Sequence, residues 1–131
     1  MQVLSHKRSS IPPQYLERTW PLDARMAMFV LEAGGQDPQP VRDRSAPREP
    51  FRMIATLTDR DQRKPSHATV YVRDRTPQHL GFICQNELPV GSTVWLDCAS
   101  EDGHAFRTPC EVARLRPFMS GWHEGVLHVR D

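Results

Sequence analysis

Two short groups of side chains have the types and spacing needed to bind an anionic ligand. Arg44 and Arg48 bracket the letters "SAP", and Asp74, Thr76 and His79 follow about 26 residues later in "DRTPQH". Arginine stays charged, and its planar fork of donors can grip phosphate oxygens or the O6/N7 edge of guanine. An Asp can accept from the N1–H and N2–H of guanine, and a Thr hydroxyl can reach a phosphate or a backbone group.

Both groups also have a purely structural interpretation. Arginine pairs are common in soluble proteins, and a run of charge is usually a solvated surface. Asp74, Thr76 and His79 are all suited to a turn, since Asp and Thr side chains commonly satisfy local N–H groups. Residue types alone therefore leave ligand binding and turn formation both open.

The charge of the chain is nearly balanced but unevenly distributed. The formal net charge is +1, which argues against a surface built to coat nucleic acid. From Arg42 to Arg75 there are nine Lys or Arg against five Asp or Glu, a net of +4. From Thr76 onward there are four against seven, a net of −3. The basic charge is thus concentrated in the region that holds both groups, where it could meet an anion.

The sequence carries no sign of catalysis, of a bound metal or of a cofactor. There is no nucleophile–base pair, no pocket pattern of paired acids and no phosphate-loop glycines, so we expect no enzyme and no catalytic residues. Cys84, Cys98 and Cys110 form no C-x-x-C pair and fit no common zinc spacing, which favours buried free thiols. With no apolar signal region and no long apolar stretch, a cytoplasmic protein without membrane insertion is expected.

Residues 1–41 are predicted to be a flexible N-terminal segment that contains one helix at about 21–33. Pro21 suits the first helical turn, Asp23 suits the positive end of the helix dipole, and Gly34-Gly35 supplies a stop. One face at helical spacing is apolar, and we expect it to pack on the domain or on a protein partner. This face comprises Leu22, Met26, Phe29, Val30 and Ala33.

From residue 42 to residue 131 the apolar pattern changes to period two, which predicts β-strands. The segments are "FRMIATL", "HATVYVR", "GFIC", "STVWLDC", "FRTPCEVARL" and "HEGVLHV", with turn residues between them. About six short strands at this spacing indicate a mainly β domain, either a small antiparallel barrel or a sandwich. A barrel also removes exposed strand edges.

In this order, the two groups and the strand pattern resemble a PilZ domain over about residues 42–131. That family has an RxxxR motif ahead of its first strand, matched here by Arg44 and Arg48, and a (D/N)xSxxG motif after the second. In the second motif Asp74 stands in the acid position, Thr76 in the serine position, and His79 where glycine is usual. The resemblance implies a six-stranded antiparallel β-barrel that binds cyclic di-GMP through these five residues.

The resemblance implies a receptor or effector module of bacterial signalling, whose linker changes conformation when cyclic di-GMP binds and whose N-terminal helix is available to a protein partner. Two alternatives remain open. The first is a degenerate PilZ-like barrel that binds no nucleotide and acts as a protein-interaction module, which the Thr76 and His79 departures favour. The second is a nucleic-acid-binding barrel, which needs surface aromatics, although Trp95 and Tyr71 look like strand residues that could belong to the core.

Overall fold

Six antiparallel strands and one helix make up the computed structural model, which describes residues 19–33, 49–60, 67–99 and 104–130. The elements are α1 (Leu22–Ala33), β1 (Glu49–Asp59), β2 (His67–Arg75), β3 (His79–Cys84), β4 (Thr93–Ala99), β5 (Ala105–Met119) and β6 (Trp122–Val129). The prediction of a mainly β chain with six antiparallel strands and one helix is confirmed. The predicted domain boundary at residues 41 and 42 lies outside the described residues.

The strands pair into a closed ring. Their order is β1-β2-β3-β6-β5-β4, and β4 pairs again with β1, so each strand has two antiparallel neighbours. Neither β1 nor β4 presents a free edge along the residues that pair, which removes the usual risk of edge-to-edge aggregation. Two register shifts interrupt the ring around β2, between Pro50 and Met53 of β1 and between Val72 and Asp74 of β2.

The barrel interior is filled by apolar side chains, which come from every second residue of each strand. In β1, Ala55 and Leu57 are buried in the core, and Phe51 and Met53 pack against it from nearer the end of the barrel. The side chains that alternate with them, such as Ile54 and Thr56, lie on the outer face, because successive residues of a strand point to opposite sides. The core side chains from the other strands are Val70, Val72, Leu80, Phe82, Cys84, Val94, Leu96, Cys110, Val112 and Leu127.

Helix α1 packs on the outer face of the barrel. It begins just after Pro21, and Asp23 Oδ1 accepts a hydrogen bond of 2.8 Å from the backbone N–H of Ala24. A second apolar cluster joins the helix to β2, β3 and β6, with the ring centroids of Trp20 and Tyr71 5.2 Å apart. Its fully or nearly buried members are Trp20, Ala24, Ala27, Met28, Leu31, Tyr71, Ile83 and Trp122.

The expectation that the helix packs on the domain through Leu22, Met26, Phe29, Val30 and Ala33 is wrong. Those five residues are exposed, and the opposite face, with Ala24, Ala27, Met28 and Leu31, meets the barrel. The small side chains of Ala24 and Ala27 explain the choice, because they let the helix backbone approach the sheet while Trp20 and Met28 fill the space beside them. Packing of the exposed face on a partner remains open.

The three cysteines are free thiols within or beside the barrel core. Cys84 and Cys110 are buried and Cys98 is half-buried. Burial raises the pKa of Cys84 and of Cys98 to about 11 and that of Cys110 to about 12. The 12-residue α1 is too short to cross a bilayer. Among the described residues there is no other helix that is long and apolar enough to do so.

Candidate functional site

The start of β1 and the turn between β2 and β3 lie together at one end of the barrel. In the β1–β2 ladder, Glu49 pairs with Arg75 and Pro50 pairs with Asp74. Arg48 immediately precedes Glu49 in the sequence. Arg44 and Arg48 themselves are outside the described residues. The register therefore places the start of β1 at the end of the barrel where Asp74 lies.

Asp74 lies on the outer face of the barrel because of an irregularity in β2. Val72 pairs with Phe82 and Asp74 pairs with Gly81, so Arg73 is an extra residue on the β2 side. Gly81 alternates with the inward-facing Leu80 and Phe82, which places Asp74 outward beside it. The Asp74 carboxylate is also 4.0 Å from the Nε of the nearly buried Arg73.

Thr76 holds the turn that joins β2 to β3. Its Oγ1 accepts hydrogen bonds from the backbone N–H of His79 at 3.1 Å and of Gln78 at 3.4 Å. Its own N–H donates to the carbonyl of His79 at 2.9 Å, which closes the turn. Gln78 in turn accepts from the N–H of Val129 at 2.8 Å, so the end of β6 is fastened to this turn. The hydroxyl of Thr76 thus performs the turn-forming role that serine would also perform.

His79 is the first residue of β3 and points outward. Its ring stacks on that of His128 of β6, its register partner, with centroids 4.9 Å apart and planes inclined by 19°. None of the described non-glycine residues has a positive φ, so His79 needs no conformation that only glycine tolerates. A histidine at this position therefore carries no strain from a left-handed backbone.

Arg75 is a further cation at this end that sequence reasoning did not select. It pairs with the inward-facing Leu80, and its guanidinium carbon lies 4.5 Å from the centroid of the Phe51 ring. Its Nε is 3.4 Å from a carboxylate oxygen of Glu49, whereas its NH1 group is buried and has no hydrogen-bond partner among the described residues. The inward direction follows from the irregularity at Arg73, which no sequence pattern indicated.

Arg52 connects this end of the barrel to the helix. Its NH1 group donates a hydrogen bond to the backbone carbonyl of Arg73, beside Asp74. Its NH2 group is 3.6 Å from a carboxylate oxygen of Glu32, in the last turn of α1. One side chain therefore joins the helix to the irregular part of β2. In the sequence, Arg52 could be recognised only as a residue on the outer face of β1, because it alternates with the apolar residues Phe51 and Met53.

An open cavity in the described part of the molecule lies away from the start of β1 and the β2–β3 turn. This cavity of about 440 Å³ is lined by residues 117–123 of the β5–β6 hairpin, at the end of the barrel opposite to the β2–β3 turn. No cluster of three or more His, Cys, Asp or Glu residues suited to a metal ion occurs in the described ranges.

Of the two aromatic strand residues that could belong to the core, Tyr71 is buried in the second apolar cluster, whereas Trp95 lies on the outer face of the barrel. Trp95 is half-buried there, with the guanidinium carbons of Arg60 and Arg107 at 4.5 and 5.3 Å from its ring centroid. Tyr71 is covered by Trp20, and its pKa is raised by burial and by the nearby charge of Asp23. Tyr71 and Trp95 each alternate with inward-facing neighbours in their strands, so both side chains point to the outer surface of the barrel.

A scan against protein-family models finds no match for this chain, and neither does a search of curated proteins. The class that the fold and the site define is a small closed antiparallel barrel. At one end it brings together a carboxylate, a hydroxyl-bearing turn, two stacked imidazoles and several guanidinium groups.

Proposed function

We propose that this protein is a PilZ-like receptor for cyclic di-GMP. The observation that carries the proposal is the register of β1 with β2, where Glu49 pairs with Arg75 and Pro50 with Asp74. In this register Glu49, the residue that follows the RxxxR motif in the sequence, lies in the same ladder as the acid of the second motif. A ligand with two phosphates and two guanines offers groups that match both sets of side chains.

Binding would proceed by capture, with no chemical step. Arg44 and Arg48 bind the phosphates and guanine edges, since arginine presents paired donors in a plane. Asp74 accepts from the N1–H and N2–H of one guanine. His79, stacked on His128, offers a flat surface beside the same turn, while Thr76 keeps the turn in place. The buried NH1 group of Arg75 lacks a partner in the described structure and is a donor that an anion at this end would satisfy.

The signal would pass to the N-terminal helix. Residues 34–48 connect α1 to β1 and include both motif arginines, so ligand binding changes the conformation of that linker. Arg52 already joins Glu32 of α1 to the carbonyl of Arg73. Under this proposal the chain is a cytoplasmic, non-catalytic signalling module that acts through the position of α1.

Isothermal titration calorimetry with cyclic di-GMP tests this function. We expect wild type to bind, and Arg44→Ala or Arg48→Ala to weaken binding about tenfold or more, because a hydrogen bond to a charged group contributes roughly 1.5–3 kcal/mol. The matched control is Arg60→Ala, which removes an arginine at the far end of β1 and should leave affinity unchanged. No heat from folded wild type at tens of micromolar ligand would reject the receptor.

The second candidate is a PilZ-like barrel that has lost the nucleotide and serves as a protein-interaction module. The exposed apolar face of α1 favours it, because that face is available to a partner whether or not a nucleotide binds. A wild-type chain that gives no heat with cyclic di-GMP would select this candidate. The nucleic-acid-binding barrel is less favoured: the charged side chains of Arg60 and Arg107 already lie over the Trp95 ring, where a base would have to stack.

A further inference from the structure

Helix α1 is apolar on two opposite faces, and only one of them is covered. The covered face consists of Ala24, Ala27, Met28 and Leu31. On the other side, Leu22, Met26, Phe29 and Val30 are between 42% and 66% exposed. We name these four residues the outer stripe. They fall within one side of the helix because each residue advances by about 100° around the axis.

An outer stripe of this kind is costly to leave in water. A helix that is apolar all round is normally buried on all sides, and an exposed group of large apolar side chains marks an interaction site more often than a plain surface. The stripe is also held rigidly, because the opposite face of α1 is anchored to the barrel through Trp20, Met28 and Leu31. A partner would therefore meet a preformed surface, with little entropy lost on binding.

We propose that the outer stripe binds the outer stripe of a second copy of this chain, with the two α1 helices antiparallel across a two-fold axis. A two-fold interface uses the same patch on both subunits, so it needs a self-complementary surface. This inference concerns a surface away from the candidate nucleotide site and does not rest on the proposed function.

The charges beside the stripe supply the complementarity. Arg25 and Glu32 lie on the same flank of the stripe, seven residues or about two turns apart. In an antiparallel two-fold pair, the flank of one helix lies beside the same flank of its partner, and the two run in opposite directions. Arg25 therefore faces the partner's Glu32. The symmetry repeats this contact, so it occurs twice. The midpoint between Arg25 and Glu32 is next to Phe29, which would then lie close to the partner's Phe29 at the centre.

Both charged groups are available for this contact. The Arg25 side chain is half-buried, so part of it remains accessible at the surface of the helix. Glu32 is 52% exposed and only 3.6 Å from one guanidinium nitrogen of Arg52, so a carboxylate oxygen remains to accept from a second arginine. A parallel pair would instead set this flank against the flank of Asp23, the remaining charged residue of α1, and would leave Glu32 without a facing cation.

Sedimentation equilibrium of the full chain over a wide range of concentrations tests the proposal. We expect wild type to shift toward twice the monomer mass as its concentration rises, and Phe29→Glu to remain monomeric. Val90→Glu is the matched control, because Val90 is 60% exposed but lies in the turn between β3 and β4. Circular dichroism and thermal unfolding establish that each variant is folded, and Met26→Glu provides a second stripe variant if Phe29→Glu is not.

Charge reversal tests the antiparallel arrangement. R25E and E32R should each weaken the dimer about tenfold or more, because like charges would face each other at both contacts. The double variant R25E/E32R should recover most of that loss. E32R and the double variant both lack the contact with Arg52, so the recovery between them reports only the contact between subunits.

Three results would overturn the inference. Wild type that stays monomeric at all concentrations would mean that another protein, or residues of this chain outside the described ranges, covers the stripe. A dimer that survives Phe29→Glu would use another surface. If Phe29→Glu abolishes the dimer, but R25E/E32R dimerises no better than the single variants R25E and E32R, the two helices are not antiparallel.

Discussion

At the scale of single residues, the β2–β3 turn differs from its neighbours in how its side chains are used. The hydroxyl of Thr76 accepts hydrogen bonds from two backbone N–H groups of the turn, which agrees with the structural interpretation of that residue. Asp74 and His79 instead point outward from adjacent strands. A serine at this position would keep both contacts, because they depend on the hydroxyl alone.

Removal of the Thr76 hydroxyl should destabilise the barrel. We expect Thr76→Val to lower the free energy of unfolding by about 1 kcal/mol, since two backbone N–H groups lose their acceptor while the side-chain volume is kept. Thr76→Ser is the matched control and should stay within a few tenths of wild type. Urea unfolding followed by tryptophan fluorescence measures both variants. Equal stability of Thr76→Val and Thr76→Ser would show that the hydroxyl is not needed for the turn.

At the scale of elements, the extra residue in β2 arranges the candidate site. Because Arg73 is inserted, Asp74 faces outward and Arg75 lies toward the end of the barrel interior. The carbonyl of Arg73 accepts from Arg52, whose other donors approach Glu32 of α1. One side chain therefore contacts both the helix and this part of β2, in addition to the apolar packing that anchors α1.

Loss of the Arg52 side chain should loosen both elements that it joins. In Arg52→Ala we expect faster amide hydrogen exchange in the last turn of α1 and around residues 73–75, because each loses a charge-assisted contact. Exchange in the β4–β5 ladder should be unchanged. Arg107→Ala is the control, since it removes an arginine whose bidentate partner is Asp97 on the far side of the barrel. Unaltered exchange in α1 of Arg52→Ala would show that this link does not hold the helix.

At the scale of the whole molecule, closure of the barrel determines the environment of the thiols. Cys84 and Cys110 are buried among aliphatic side chains of six different strands, and the low polarity of that core disfavours the thiolate. Their pKa values are raised from 9.0 to about 11 and about 12. The folded chain therefore keeps these protons at a pH where the unfolded chain releases them.

The sign of this shift predicts a loss of stability in alkali. Stability from the protonated thiols is fully present below the unfolded pKa and is lost as the pH rises from about 9 toward the folded values. From pH 8 to pH 10 we expect Cys84 and Cys110 each to contribute a loss of roughly 1 kcal/mol. Urea unfolding at both pH values measures it, and the C84A/C110A variant should lose less. An equal loss in the variant would mean that other groups cause the decline.

Local patterns predicted much of the fold, because the features concerned are local. The period-two pattern of "FRMIATL" predicted alternation along β1, and the structure turns Phe51, Met53, Ala55 and Leu57 toward the core, since side chains alternate within any strand. The ends of α1 followed from Pro21, Asp23 and the glycines after Ala33 for the same reason. The shared turn of Asp74, Thr76 and His79 was likewise predictable from their closeness in sequence, whereas the roles of Arg44 and Arg48 stay a prediction.

Long-range packing decided what those patterns left open. A helix with two apolar faces can bury either, and only the shape of the barrel surface selected the face with Ala24 and Ala27. His79 and His128 lie 49 residues apart in the chain and meet because β3 pairs with β6. Arg73 is an extra residue of β2 opposite β3, whereas opposite β1 the extra residue belongs to β1, between Pro50 and Met53. Register and docking arise from the combined packing of distant segments, so the local sequence does not contain them.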